Sequence, residues 1–173
     1  MTTLVAPCPA PDGTSARQTR SVAMGRMGIA SEDQLLTTVG LGSCIAIVLF
    51  APRQRLAALA HCMLPTRNED DDAFAKFADS AVPALVTLLH AEGASGPLAA
   101  ALIGGASMFP GVPSAFVRDI AGSNVSAARS ALAAASIPLR IEEVGGHVGR
   151  SVTVDPATQR VMVRTIRDGE RWL

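Results

Sequence analysis

Unbroken apolar runs mark the middle of the chain more strongly than any alternation does. Cys44–Phe50 reads C-I-A-I-V-L-F and Leu56–Leu64 reads L-A-A-L-A-H-C-M-L, with Pro52 and two arginines between them. Apolar residues at both parities are the mark of strands covered on both faces. Gln34–Val39 is a strand ahead of them, ending at the turn Gly40-Leu41-Gly42-Ser43. Beyond Pro65, the carboxylates Glu69–Asp72 stand where a helix start favours negative charge. Phe74, Phe77 and Ala78 share one helical face, which Val82, Leu85, Val86 and Leu89 continue. Pro83 divides this stretch in two, with Ser80 as cap of the second helix. Leu98–Ile103 is a further strand, broken by Gly104-Gly105. Asn124–Ser136 is an alanine-rich helix capped by Asn124, with Val125, Ala128, Leu132 and Ala135 on one face. Leu139–Val144, Val148–Val154 and Val161–Ile166 close the chain as strands. Clustered strands around two helical segments predict an α+β fold, with mixed β-sheets forming a central sandwich flanked by helices in a single domain. Pro7, Pro9, Pro11 and Gly13 make residues 1–20 a disordered tail and leave residues 21–173 as the domain.

Composition narrows the function. Of 173 residues, 49% are hydrophobic and 17% charged, against roughly 25% charged in an average soluble domain. A core can be built, and disorder over the whole length is excluded. Fifteen basic and fifteen acidic residues cancel, which removes the electrostatic signature of a nucleic-acid or polybasic membrane binder. With 3% aromatics and no Tyr there is no platform for stacking bases. The longest uncharged stretch, Gly93–Val117, contains Pro97, Pro110, Pro113 and several glycines, and reads as a strand followed by a loop rather than a membrane insertion. Without an apolar segment of signal-peptide length, the expectation is a cytoplasmic protein with Cys8, Cys44 and Cys62 as free thiols. No metal-ligand spacing occurs, so no metal is expected.

The candidate chemistry lies in the two apolar runs. A hairpin turning over Ala51–Gln54 pairs Phe50 with Arg55, and the same register sets Cys44 directly opposite His61. Opposed Cβ atoms lie about 4.5–5.5 Å apart, which brings a thiol and an imidazole within reach. Cys62 points to the other face. A Cys beside a His is the minimal set for acyl transfer: the sulfur attacks a carbonyl, and the imidazole takes the thiol proton and returns one to the leaving nitrogen. Gly42 and Ser43 lie in a turn whose backbone N–H groups suit an oxyanion hole. Thr38 ends the preceding strand, where its hydroxyl can orient the imidazole. Taken alone, a cysteine in a buried strand is also an ordinary core residue.

Four motifs occur in order: T-V-G-L-G-S-C (Thr38–Cys44), A-H-C-M-L-P (Ala60–Pro65), G-G-A (Gly104–Ala106) and G-G-H-V-G-R (Gly145–Arg150). With them the chain from about Val22 onward resembles the chemoreceptor glutamine deamidases of bacterial chemotaxis, the CheD family. The resemblance implies Cys44 as nucleophile, His61 as base and Thr38 as the orienting residue. It implies a protein-glutamine deamidase that converts glutamines on the cytoplasmic helices of methyl-accepting chemoreceptors to glutamate through a thioester, without a cofactor. The family's I-G-x-x-N segment reads I-A-G-S-N here, with Ala121 in place of Gly. A CheC-type phosphatase is the second partner the resemblance implies. The apolar loop with Met108 and Phe109, together with Arg150, is the candidate partner or substrate contact. His147, His90 and Asp70–Asp72 are read as solvated positions. A non-catalytic adaptor of the phosphatase and a papain-like protease are the alternatives.

Overall fold

The structure, a computed structural model, describes residues 17–107 and 119–173. The strands β1 (Gln18–Ser21), β3 (Gln34–Leu41), β8 (Arg150–Asp155), β9 (Arg160–Thr165) and β10 (Gly169–Trp172) lie side by side in that order. The second sheet runs β2 (Met27–Ala30), β5 (Leu56–Cys62), β4 (Ile45–Ala51), β6 (Ala99–Gly104) and β7 (Leu139–Val144). Both sheets mix parallel and antiparallel neighbours. Between them pack Ala46, Val48, Phe50 and Leu59 from one side and Leu36, Val152, Val154 and Val163 from the other. The opposite face of the second sheet, with Ile45, Ile47, Leu49, Ala60 and Leu102, meets the helices α1 (Ala78–Ala91) and α2 (Ile120–Ala134). All of β4 is therefore buried, as its unbroken apolar sequence requires. The fold is the expected α+β sandwich, except that both helices cover one side only. On the first sheet, β9 alternates buried Val161 and Val163 with more accessible neighbours, as a half-covered strand does.

Several elements depart from the sequence expectation. Gln18–Arg20, placed in the tail, form β1 together with Ser21, parallel to β3, so the fold already begins inside residues 17–20, while residues 1–16 lie outside the described ones. β1, β2 and β10 are four-residue strands, too short and, in β1 and β10, too exposed to show a periodic pattern. The acidic segment does not start a helix: Asp71 accepts from Ala73 N–H and pairs with Lys76, and a 3₁₀ turn at Phe74–Lys76 intervenes. α1 then runs uninterrupted with Ser80 and Pro83 inside it. Pro83 lies beyond the first turn, since Ala81 N–H already bonds to Phe77 O, and so it forgoes the hydrogen bond that an N–H there would make to Asp79 O. α2 begins earlier than expected and its cap is Asp119, which accepts from Gly122 N–H; Asn124 is a buried residue within the helix.

The hairpin register is also corrected. Pro52–Gln54 form a 3₁₀ turn closed by Arg55 in the left-handed conformation, so the loop takes in Arg55, and Ala51 pairs with Leu56. His61 consequently faces Ala46, and Cys44 lies one residue before β4 rather than directly opposite His61. The shift is by two residues, so parity survives: Cys44 and His61 stay on the inter-sheet side and Cys62 on the helix side.

Two backbone irregularities shape the end of the sandwich. In β3 the register slips between Thr38, paired with Val152, and Leu41, paired with Arg150. This bulge, with Gly40 at φ 77°, turns both Thr38 and Leu41 inward and leaves Val39 exposed. At the end of β6, Gly104 has φ 119° and a Cβ there would sit 2.5 Å from the Cys44 carbonyl oxygen. No side chain fits that contact, and few residues adopt that backbone. Gly104→Ala is therefore expected to destabilise the fold by about 3 kcal/mol through combined strain and overpacking. Urea unfolding measures this, and an unchanged midpoint would show that the approach of β6 to Cys44 is not tight.

Candidate active site

The chain leaves the first sheet at the end of β3 and enters the second at β4, and the turn joining them carries Cys44. Three consecutive carbonyls of this turn are held. Gly42 O accepts from Ala106 N–H at 2.7 Å and Cys44 O from Gly105 N–H at 2.8 Å. Ser43 O accepts from Asn124 Nδ2 at 2.9 Å, and the same nitrogen donates to Met63 O at 3.1 Å. Among the described residues, the N–H groups of Ser43 and Cys44 donate to no backbone carbonyl. The Cys44 side chain is half-buried and packs against the inter-sheet core.

His61 is fully buried on the same side of β5. Its backbone is fixed by His61 N–H to Arg26 O at 3.0 Å and Gly25 N–H to His61 O at 2.9 Å. Its Nδ1 lies 2.7 Å from Thr38 Oγ1, and that hydroxyl donates its single proton to Val22 O at 2.8 Å. The hydroxyl must therefore accept from Nδ1–H, which leaves the Nε2 lone pair free. Nε2 has no hydrogen-bond partner among the described residues. Thr38 thus holds the side of the ring away from Nε2.

Burial governs the electrostatics. Loss of solvent pushes the Cys44 thiol up, offset in part by its own backbone N–H, and pushes the His61 imidazole down. Burial thus favours the uncharged form of both groups. Cys62, buried against the helices, is pushed much further up by burial, with Cys44 and Asp79 adding to it. It is a core thiol.

Arg150 lies inside the sandwich opposite Leu41. Its Nη1 is 3.4 Å from Gly104 O and its Nη2 3.7 Å from Glu143 Oε1, which Arg171 also contacts. It braces the glycine pair that seats Cys44, and it lines two shallow clefts, one of about 370 Å³ beside His147 and one of about 330 Å³ beside Gly40. His147 is exposed, with Nδ1 2.8 Å from Ser107 O. His90 is exposed in the last turn of α1, and Asp70–Asp72 lie in the loop before it. Met108 and Phe109 fall outside the described residues. Among the described residues no three His, Cys, Asp or Glu side chains cluster as a metal site needs, and no helix is long and apolar enough to cross a membrane. The sequence reading missed Asn124 as a neighbour of the site. Only its recurrence in the I-x-x-x-N segment marks it, because its partners are backbone carbonyls from distant strands.

Comparison with known proteins covers most of the chain. The family described as CheD chemotactic sensory transduction matches residues 63–165. The chain is 35% identical over 154 residues to the chemoreceptor glutamine deamidase CheD of Halalkalibacterium halodurans, covering 87% of this chain and 95% of that protein. It is 35% identical to the probable chemoreceptor glutamine deamidase CheD of Caldanaerobacter subterraneus subsp. tengcongensis, over 88% of this chain and 96% of that one. A probable chemoreceptor glutamine deamidase CheD of Desulforamulus reducens is 36% identical over 80% of this chain and 85% of its own. With that extent of similarity, and the motif residues gathered around a single turn, the chain belongs to the CheD family.

Proposed function

We propose that the protein deamidates glutamine side chains on the cytoplasmic helices of methyl-accepting chemoreceptors, giving glutamate and ammonia, with Cys44, His61 and Thr38 as its catalytic machinery. The relatives' names supply the reaction and the substrate class. The observation that carries the residue assignment is the Thr38–His61 hydrogen bond, which presents a free Nε2 on the face that Cys44 shares. Loose geometry between thiol and imidazole is ordinary before substrate binds.

The reaction follows from these groups. As the Cys44 sulfur attacks the side-chain carbonyl carbon, His61 Nε2 takes the thiol proton, so that the two neutral groups become charged only as the bond forms. The tetrahedral intermediate places its oxyanion beside the N–H groups of Ser43 and Cys44. Collapse breaks the C–N bond; His61 gives its proton to the departing nitrogen, and ammonia leaves a thioester. Water, deprotonated by His61, then attacks the thioester, and the C–S bond breaks to give glutamate and the thiol. Thr38, accepting from Nδ1–H, keeps the ring in the tautomer that this sequence needs. Arg150 serves by bracing Gly104. The protease alternative uses the same acyl chemistry but cuts the chain. The adaptor alternative has no observation in its favour, since Met108 and Phe109 lie outside the described residues.

The direct test incubates the protein with a receptor cytoplasmic fragment and reads peptide masses. The expected result is the mass gain of an NH₂-to-OH exchange at particular glutamines without chain cleavage, absent in Cys44→Ala; cleavage products, or activity retained in that variant, would overturn the reading. Thr38→Val should lower kcat on the order of 10²-fold while leaving KM nearly unchanged. Because burial lowers the His61 pKa, the acid limb of kcat/KM should lie below the ordinary imidazole value of about 6.5. The same shift acts on stability. The unfolded chain takes up the His61 proton first as pH falls, so the stability carried by neutral His61 is fully present above about 6.5 and is lost below it. Comparing unfolding midpoints of wild type and His61→Gln across that range checks the sign: the gap should narrow toward acid.

A further inference from the structure

We infer that Asn124 is a positioning residue that aims the oxyanion hole. This rests on the deamidase reading above, and it concerns a residue that touches neither thiol nor imidazole in that scheme. Asn124 is fully buried within α2, and its two Nδ2 hydrogens go to Ser43 O at 2.9 Å and Met63 O at 3.1 Å. One carbonyl belongs to the residue before Cys44 and the other to the second residue after His61. A single side chain therefore ties the turn bearing the nucleophile to the strand bearing the base.

The consequence follows from peptide planarity. In a trans peptide the C=O and N–H point in opposite directions. Holding Ser43 O toward α2 therefore turns Cys44 N–H away from α2. Holding Gly42 O on Ala106 N–H likewise turns Ser43 N–H away from Ala106. These are the two N–H groups that donate to no backbone carbonyl among the described residues. Of the two anchors, one is a backbone group and the other is the Asn124 side chain. A hydrogen bond received by a carbonyl further polarises its own peptide N–H, so the clamp strengthens the donor as well as aiming it. Only a carboxamide suits the position: a carboxylate would set a negative oxygen against two carbonyls.

The test separates aiming from mere support of the fold. Alkylation of Cys44 by iodoacetamide forms no oxyanion, whereas deamidation does. In Asn124→Ala, kcat on a receptor fragment should fall between about 10-fold and 100-fold, with KM and the rate of Cys44 alkylation close to wild type. Asn124→Asp, of the same size but without the donors, should show the same loss in kcat at unchanged KM. An unchanged kcat, or a fall in kcat matched by equal falls in alkylation rate and rise in KM, would overturn the inference. A second measurement uses the wild-type protein and so does not depend on a variant folding. A receptor-helix peptide carrying an aldehyde at the target position adds to Cys44 as a thiohemiacetal. The Ser43 and Cys44 amide protons should then move downfield in the NMR spectrum, and amide protons that stay in place would overturn the inference. Wild-type protein that forms the adduct with shifted amides but releases no ammonia from receptors would remove the deamidase reading and leave the aimed donors standing.

Discussion

The seating of Gly104-Gly105-Ala106 on the carbonyls of the Cys44 turn is the contact on which the rest of this end of the molecule depends. Gly105 and Ala106 donate to Cys44 and Gly42, and Gly104 comes so close to the Cys44 carbonyl that a Cβ is excluded. At Gly105 a Cβ would meet Val125 of α2 at 2.5 Å, so the same segment fixes how close the helix lies. The segment is itself held from behind: Gly145 N–H donates to Gly104 O at 2.9 Å and Ser107 N–H to Gly146 O at 2.8 Å, with Arg150 on Gly104 O. Three motifs far apart in the chain are thus one hydrogen-bonded assembly, and Asn124 adds the base strand to it through Met63.

A second constraint is dryness. His61 and Thr38 lie in the inter-sheet core, where an imidazolium would lose its solvation without an anionic partner. The ring is kept neutral and its tautomer is chosen by a hydroxyl rather than a carboxylate. This suits the proposed role of His61, which gains a proton only as sulfur attacks. The β3 bulge makes the arrangement possible, because a regular strand could not turn Thr38 and Leu41 inward together.

The helices act on the site from the far side of the second sheet. α2 reaches it through Asn124, and α1 packs over Cys62 and its neighbours. The sandwich thus has one end where Cys44 and His61 share a side, with the helical layer holding the turn that carries Cys44.

Much was legible in the chain itself. Unbroken apolar runs announced β4 and β5 as strands covered on both faces, and the period of two placed Cys44 and His61 on one side and Cys62 on the other. Those features depend only on neighbours along the strand. The register was not legible, because the turn took Arg55 into the loop through its left-handed backbone, a choice made by the closing hydrogen bond to Pro52. Nor were β1, β2 and β10, whose residues are held by pairing with distant strands. Asn124 looked like a cap because a polar residue at a helix start usually is one; its carbonyl partners come from elsewhere in the chain. Local sequence thus determined the long apolar strands and which face each of their residues presents. Tertiary structure decided which backbone groups meet across those strands, since such contacts join segments that sequence spacing does not relate.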